Sequence, residues 1–149
     1  MKHFPDLPPV WLLLGLVLAW VLATWLPLVR LFGPAWQAAG VLLALAGTGL
    51  ILWAAWWFWR KRTTIEPHHE PGRLIVEGPY RFSRNPIYLG MLAILTGAVL
   101  WHGALSGLPL PFAFAAILTR RFIAPEEAAL RRAFGAEAHD YLDRTRRWL

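Results

Sequence analysis

The sequence predicts an all-α, polytopic integral membrane bundle of about four transmembrane helices, completed by an amphipathic C-terminal helix on the cytoplasmic side. Three observations predict it. Between Val10 and Trp59 the only ionisable side chain is Arg30, and between Pro86 and Thr119 there is no Asp, Glu, Lys or Arg. Of the 149 residues, 57% are hydrophobic, ten are Trp and only 16% are charged, against about 25% charge in a soluble domain. The Lys and Arg residues that give a net charge of +6 crowd into two polar segments, residues 60–86 and the stretch after residue 119. A chain this short cannot enclose so many large apolar side chains in one core, which excludes a soluble monomer. The same hydrophobicity excludes disorder. The absence of Cys excludes disulfides, a Cys-based zinc site and a thiol nucleophile. The length suits a single domain over residues 1–149.

Crossing about 30 Å of hydrocarbon takes about 20 helical residues. The first apolar stretch therefore holds two spans, predicted at residues 10–28 and 35–59, divided where Arg30, Gly33 and Pro34 interrupt it. The first is a retained helix rather than a cleaved signal, because Lys2 alone makes a poor basic lead and another apolar run follows. The second stretch is divided by the turn from His102 to Pro111, giving helices at residues 87–101 and 108–123. These are short for full spans and suit a tilted or partly re-entrant hairpin.

Lys and Arg in short connections mark the cytoplasmic side. Arg60, Lys61, Arg62, Arg73, Arg81 and Arg84 lie in the loop 60–86, and Arg120, Arg121, Arg131, Arg132, Arg144, Arg146 and Arg147 in or just before the tail 124–149. Both segments, and with them both termini, are expected in the cytoplasm. Trp53, Trp56, Trp57 and Trp59 fit an interfacial belt. The loop is rich in Gly, Pro, Tyr, Phe and Arg, the composition of an ordered loop rather than a tether. Pro86 suits the first turn of the third helix, with Asn85 as its N-cap. Such a helix start can receive an anion. Glu66, His68, His69 and Glu70 have no recognised zinc spacing, and no metal is expected. In the tail, Pro125, Glu126 and Glu127 open a helix. Leu130 and Phe134 share a face, Gly135 is a stop, and a second short helix at 136–144 carries Tyr141, placed to dock on the membrane domain.

The stretch Gly78-Pro-Tyr-Arg-Phe-Ser-Arg-Asn-Pro-Ile-Tyr-Leu-Gly90, followed after an apolar hairpin by Glu126-Glu-x-x-Leu-x-x-x-Phe-Gly135, Tyr141 and Arg147-Trp148, resembles the isoprenylcysteine carboxyl methyltransferase and phospholipid methyltransferase superfamily of integral membrane enzymes. That superfamily carries a G-x-Y…R-H-P-x-Y-x-G stretch, a membrane hairpin and a Glu-Glu pair. The resemblance covers about Thr63 to Leu149. It implies S-adenosylmethionine as methyl donor and a lipophilic or lipidated acceptor in the bilayer, with no nucleic-acid partner. By position it implies backbone contacts to the cofactor from Gly72, Arg73, Leu74 and Ile75. Tyr80, Arg84, Asn85, Pro86 and Tyr88 would lie against the cofactor, and Glu126 would contact a polar group of it. Either Arg120 or Arg121 matches the family arginine that helps to bind or orient substrate. In one place the sequence departs from the pattern: Asn85 stands where the family has His, and Asn can neither act as a base nor carry charge near neutral pH.

The layout suits such a reaction. A water-soluble cationic donor needs a pocket on the cytoplasmic side, and a lipidic acceptor needs an opening to the bilayer. Methyl transfer from a sulfonium that is already activated rests mainly on alignment and exclusion of water, worth about 7–11 kcal/mol at best. A carboxylate acceptor needs no base, whereas an amine or hydroxyl must lose a proton, for which Glu126, Glu127, His68, His69 and Tyr88 are the candidates. That scarcity favours a carboxylate. A bacterial plasma membrane is the expected location. Two other readings compete: an NADPH-dependent membrane reductase, which shares an R-H-P-x-Y stretch but carries a K-Y-G…W tail that is not found here, and a non-catalytic partner subunit.

Overall fold

The computed structural model describes residues 6–30, 33–61 and 74–149. Regular structure among them is helical: α1 (Pro8–Trp25), α2 (Pro34–Lys61), α3 (Pro86–His102), α4 (Pro109–Leu118) and α5 (Ala124–Arg144). Two 3-10 turns cover Gly78–Arg81 and Leu105–Gly107, and a π-turn over Thr119–Ile123 joins α4 to α5. Each helix has Pro at its first or second position; at the starts of α1, α2 and α3 the missing N–H has no intrahelical partner to lose, whereas Pro125 follows directly on the π-turn. Three continuous helical stretches, Pro8–Trp25, Pro34–Lys61 and Leu105–Arg144, are long and apolar enough to cross a membrane; α3 is shorter. Its 17 residues rise about 25 Å at about 1.5 Å each. Large apolar side chains face outward, with Trp25 78%, Trp59 78% and Phe112 79% exposed. That is the surface a helix bundle presents to lipid.

Two boundaries differ from the sequence expectation. Helix α1 stops at Trp25 rather than Leu28, because Pro27 lacks an N–H and Leu28 turns into the left-handed region at φ 57°. Gly135 does not end the tail helix but kinks it: with φ 51° and ψ −121° it breaks the helical path, and the chain then resumes helix to Arg144.

The most extensive packing is α2 against α3, and glycine makes it possible. Gly40 and Gly47 face Gly97 and Gly90 across an antiparallel pair. A methyl group added at Gly40 would lie 2.5 Å from the Gly97 carbonyl oxygen, and one at Gly47 2.5 Å from that of Gly90. The reciprocal distances are 2.4 Å at Gly97 and 2.6 Å at Gly90. A seven-residue repeat of the smallest residue on both helices brings the backbones together, as in other close membrane-helix crossings.

A second cluster joins α3 to α4 and the π-turn. Tyr88, Leu95, Phe114, Leu118 and Phe122 form its centre, with α1 residues Trp11 and Leu16 packed outside. The antiparallel order places the start of α1, the end of α2, the start of α3 and the π-turn at one end of the bundle. At the other end the Leu105 N–H donates to the Val29 carbonyl at 3.0 Å, and Arg30 bridges to Ala104.

Candidate functional site

The polar end of the bundle is built from three pieces of chain. The segment Leu74–Asn85 leads into α3. Ile75 and Tyr80 are buried with Ala54 of α2, and the Tyr80 ring meets Phe58 edge-on at 5.7 Å. Gly78 takes φ 60°, and a Cβ there would collide with the Trp57 indole, so this turn accepts only glycine. Lys61 pairs with Glu77 at 2.5 Å, fixing the loop to the end of α2.

Asn85 occupies the N-cap position of α3 but makes no side-chain cap. This corrects the sequence expectation. Its Nδ2 donates instead to the Arg147 carbonyl at 3.0 Å, a stronger demand on a side chain that is buried. Pro86 follows as the first residue of α3, and Tyr88 points from the first turn towards α5.

The π-turn before α5 inserts one residue into the turn, which rotates everything after it by about 100°. The adjacent carboxylates then take different partners. Glu126 accepts a short hydrogen bond from the Tyr88 hydroxyl, closing a contact between residues 38 positions apart. Glu127, whose side chain is 4% exposed, is held by two arginines. Arg84 Nη1 donates to its Oε1 at 3.0 Å, Arg147 Nε to Oε1 at 2.9 Å and Arg147 Nη2 to Oε2 at 2.7 Å. The two carboxyls titrate in opposite directions. Burial pushes Glu126 up to about 7; the Tyr88 hydrogen bond opposes this and the Glu127 charge reinforces it. Burial also pushes Glu127 up, but the Arg147 and Arg84 guanidinium groups outweigh it and hold the carboxyl below its usual range.

Among the residues singled out from the sequence, Leu74, Ile75, Tyr80, Arg84, Asn85, Pro86, Tyr88, Glu126 and Glu127 all lie at this end. Gly72, Arg73, His68 and His69 lie outside the described residues. Arg120 is exposed. Arg121 is half-exposed, pairs with Asp6 at 2.9 Å and stacks over Trp11, 5.3 Å from the ring centre. Arg84 directs its guanidinium into the tail: besides Glu127, it donates to the Thr145 and Leu142 carbonyls. Tyr141 does dock, its hydroxyl donating to the Tyr80 carbonyl at 2.9 Å.

Sequence reasoning placed Arg147 and Trp148 in the motif pattern but gave them no role, and it passed over Asp6. A signal for Arg147 did exist: a Glu buried beside a second Glu needs a cation. The tail offers several arginines, and only the folded path selects one.

The model of the phospholipid methyltransferase family matches residues 35–137 of the chain. No curated protein and no solved structure matches it.

Proposed function

Because the chain belongs to the phospholipid methyltransferase family, we propose that it transfers a methyl group from S-adenosylmethionine to a lipophilic acceptor resident in the bilayer. The observation that carries this reading is the Tyr88–Glu126 pair, a half-buried carboxyl and a buried phenol at the seam between α3 and α5. The donor set fits the cofactor. A carboxyl that ionises near neutrality suits a cationic ligand, and aromatic rings from Tyr88 and Phe122, 6.3 Å apart, tolerate a sulfonium. NADPH fits less well at Arg84, a cation of the motif that is engaged by Glu127, Thr145 and Leu142 rather than free for phosphate.

When bound, S-adenosylmethionine supplies a methyl group already activated on sulfur. In this reading the Leu74–Ile75 backbone, Tyr80 and Tyr88 hold and align the cofactor, and burial excludes water. Glu126, ionised, balances the cofactor's positive charge. The family description favours a phospholipid amine over an isoprenylcysteine-like carboxylate as acceptor. Glu126 loses its cationic partner once the methyl has moved, and it is then placed to take the proton that an amine must shed. Glu127 is a positioning group here rather than a catalytic one, and Arg121 sits at the rim. The Lys and Arg distribution supports a cytoplasmic polar end.

Thermal unfolding of the purified protein separates the readings. S-adenosylhomocysteine is expected to raise the midpoint and NADPH to leave it unchanged; stabilisation by NADPH alone would reverse the assignment. The pH dependence is a second check. Affinity for S-adenosylmethionine relative to the uncharged-sulfur product is expected to rise as pH increases through about 7, where Glu126 ionises, and Glu126→Gln should flatten that rise. Ligand-free stability follows from the same two carboxyls. The contribution of Glu126, raised from 4.5 to about 7, is complete below about 4.5 and lost as pH climbs through about 7. That of Glu127, lowered from 4.5, is present above that value and lost as pH falls below it. The ligand-free optimum is therefore expected between these limits; an unfolding midpoint that keeps rising to pH 9 would contradict it.

A further inference from the structure

The hydrogen bonds of the polar end converge on a segment that lies beyond the matched family region, which ends at residue 137. After α5 the chain turns back across the start of α3. The Arg84 N–H donates to the Arg146 carbonyl at 2.9 Å, and the Arg84 side chain donates to the Thr145 and Leu142 carbonyls. Ser83 Oγ and Asn85 Nδ2 both donate to the Arg147 carbonyl, at 3.3 and 3.0 Å. Arg147 then grips Glu127 at two points, 2.9 and 2.7 Å. The next residue, Trp148, packs on the cluster that contains Tyr88 and Phe122.

We infer that Arg147 is a positioning residue: its two-point grip on Glu127 ties the strap Leu142–Trp148 across the α3–α5 seam and sets the Tyr88–Glu126 contact. Glu127 and Glu126 are neighbours on one helical turn, so fixing one carboxylate fixes the backbone that presents the other. The strap also reaches the Tyr88 side of the seam through Ser83, Asn85 and Trp148. It therefore holds both halves of the pair. Asn85 belongs to this arrangement. Its neutral amide donates to the strap at every pH, whereas a His in the same place would change its donor pattern on titration. The bidentate geometry explains why the cation is Arg: Lys keeps the charge but not the planar fork. The consequence for ligand binding rests on the methyl-transfer reading; the consequence for the Tyr88–Glu126 contact does not.

The chain has three tyrosines, Tyr80, Tyr88 and Tyr141, so protein labelled with 3-fluorotyrosine in lipid nanodiscs gives three fluorine resonances, assignable by Tyr→Phe variants. Arg147→Gln is expected to shift or broaden the Tyr88 resonance of the ligand-free protein while Tyr80 and Tyr141, which bond to each other, stay in place. Arg147→Lys should fall between wild type and Arg147→Gln, and it serves if the larger change prevents folding. An unmoved Tyr88 signal in both variants would overturn the inference, as would equal displacement of all three signals, which would mark a fold-wide role. A separate arm adds S-adenosylhomocysteine. Wild type should bind, and Arg147→Gln should bind roughly tenfold or more weakly, a loss of about 1.4 kcal/mol. Unchanged affinity in Arg147→Gln would count against the positioning role. Failure of wild type itself to bind would count against the methyl-transfer reading, while the ligand-free spectra still decide the strap.

Discussion

Glu126→Ala and Tyr88→Ala are each expected to abolish detectable S-adenosylmethionine binding while the protein still inserts and purifies. Each variant removes one member of a part-buried hydrogen-bonded pair at the seam of α3 and α5 and leaves the other without its partner. Loss of a hydrogen bond to a charged group costs about 1.5–3 kcal/mol, and an unsatisfied buried group adds about 1–3 kcal/mol. Together these come to about 2.5–6 kcal/mol, and the roughly 2.7 kcal/mol that corresponds to about 100-fold in affinity lies at the low end of that range. The fold should survive, because the α2–α3 crossing, the Arg84–Glu127–Arg147 network and the Tyr141–Tyr80 bond are independent of the pair. Isothermal titration with S-adenosylmethionine in detergent checks this. Affinity within threefold of wild type in both variants would remove the pair from the site.

The second large effect is on folding itself. Gly90→Val should abolish recovery of folded protein, because the first atom added would sit 2.6 Å from the Gly47 carbonyl oxygen and 2.6 Å from Ile51 Cγ1. Overpacking a core costs about 1–3 kcal/mol when side chains can give way; here one obstacle is backbone, so the helices must part. Gly90 lies two residues from Tyr88 in α3, and any separation that preserves the fold also displaces the site. Gly49→Val is the matched control, since nothing lies within 4 Å of a methyl there. Comparable yield and unfolding midpoint for Gly90→Val and Gly49→Val would show that the close crossing is not needed.

The parts legible in the sequence were those set by solvent. Spans without charge must sit in hydrocarbon, and prolines mark where helices begin, so the helical class and the approximate spans followed from composition and order. The seven-residue spacing of Gly40 with Gly47 and of Gly90 with Gly97 was also visible, but it was overlooked because hydropathy does not distinguish a lipid-facing glycine from one at a crossing. The meeting of Tyr88 with Glu126 was legible only through the resemblance, since no local spacing links residues 38 positions apart. Glu127 and Arg147 were not legible as a clamp. The π-turn helps to set which carboxylate faces which partner, and hydropathy does not register a widened turn. The expected Asn85 cap failed for a related reason: a nearby backbone carbonyl at Arg147, brought in by tertiary folding, captured its amide.

The central claim is that this end of the bundle delivers a methyl group to something dissolved in the membrane. Protein in nanodiscs made from a total bacterial lipid extract, incubated with methyl-labelled S-adenosylmethionine, tests it directly. Wild type should carry label into the organic-soluble fraction, in a species identifiable as a methylated lipid amine, and Glu126→Ala should not. Folded wild-type protein that labels no lipid, or equal labelling by Glu126→Ala, would contradict the account.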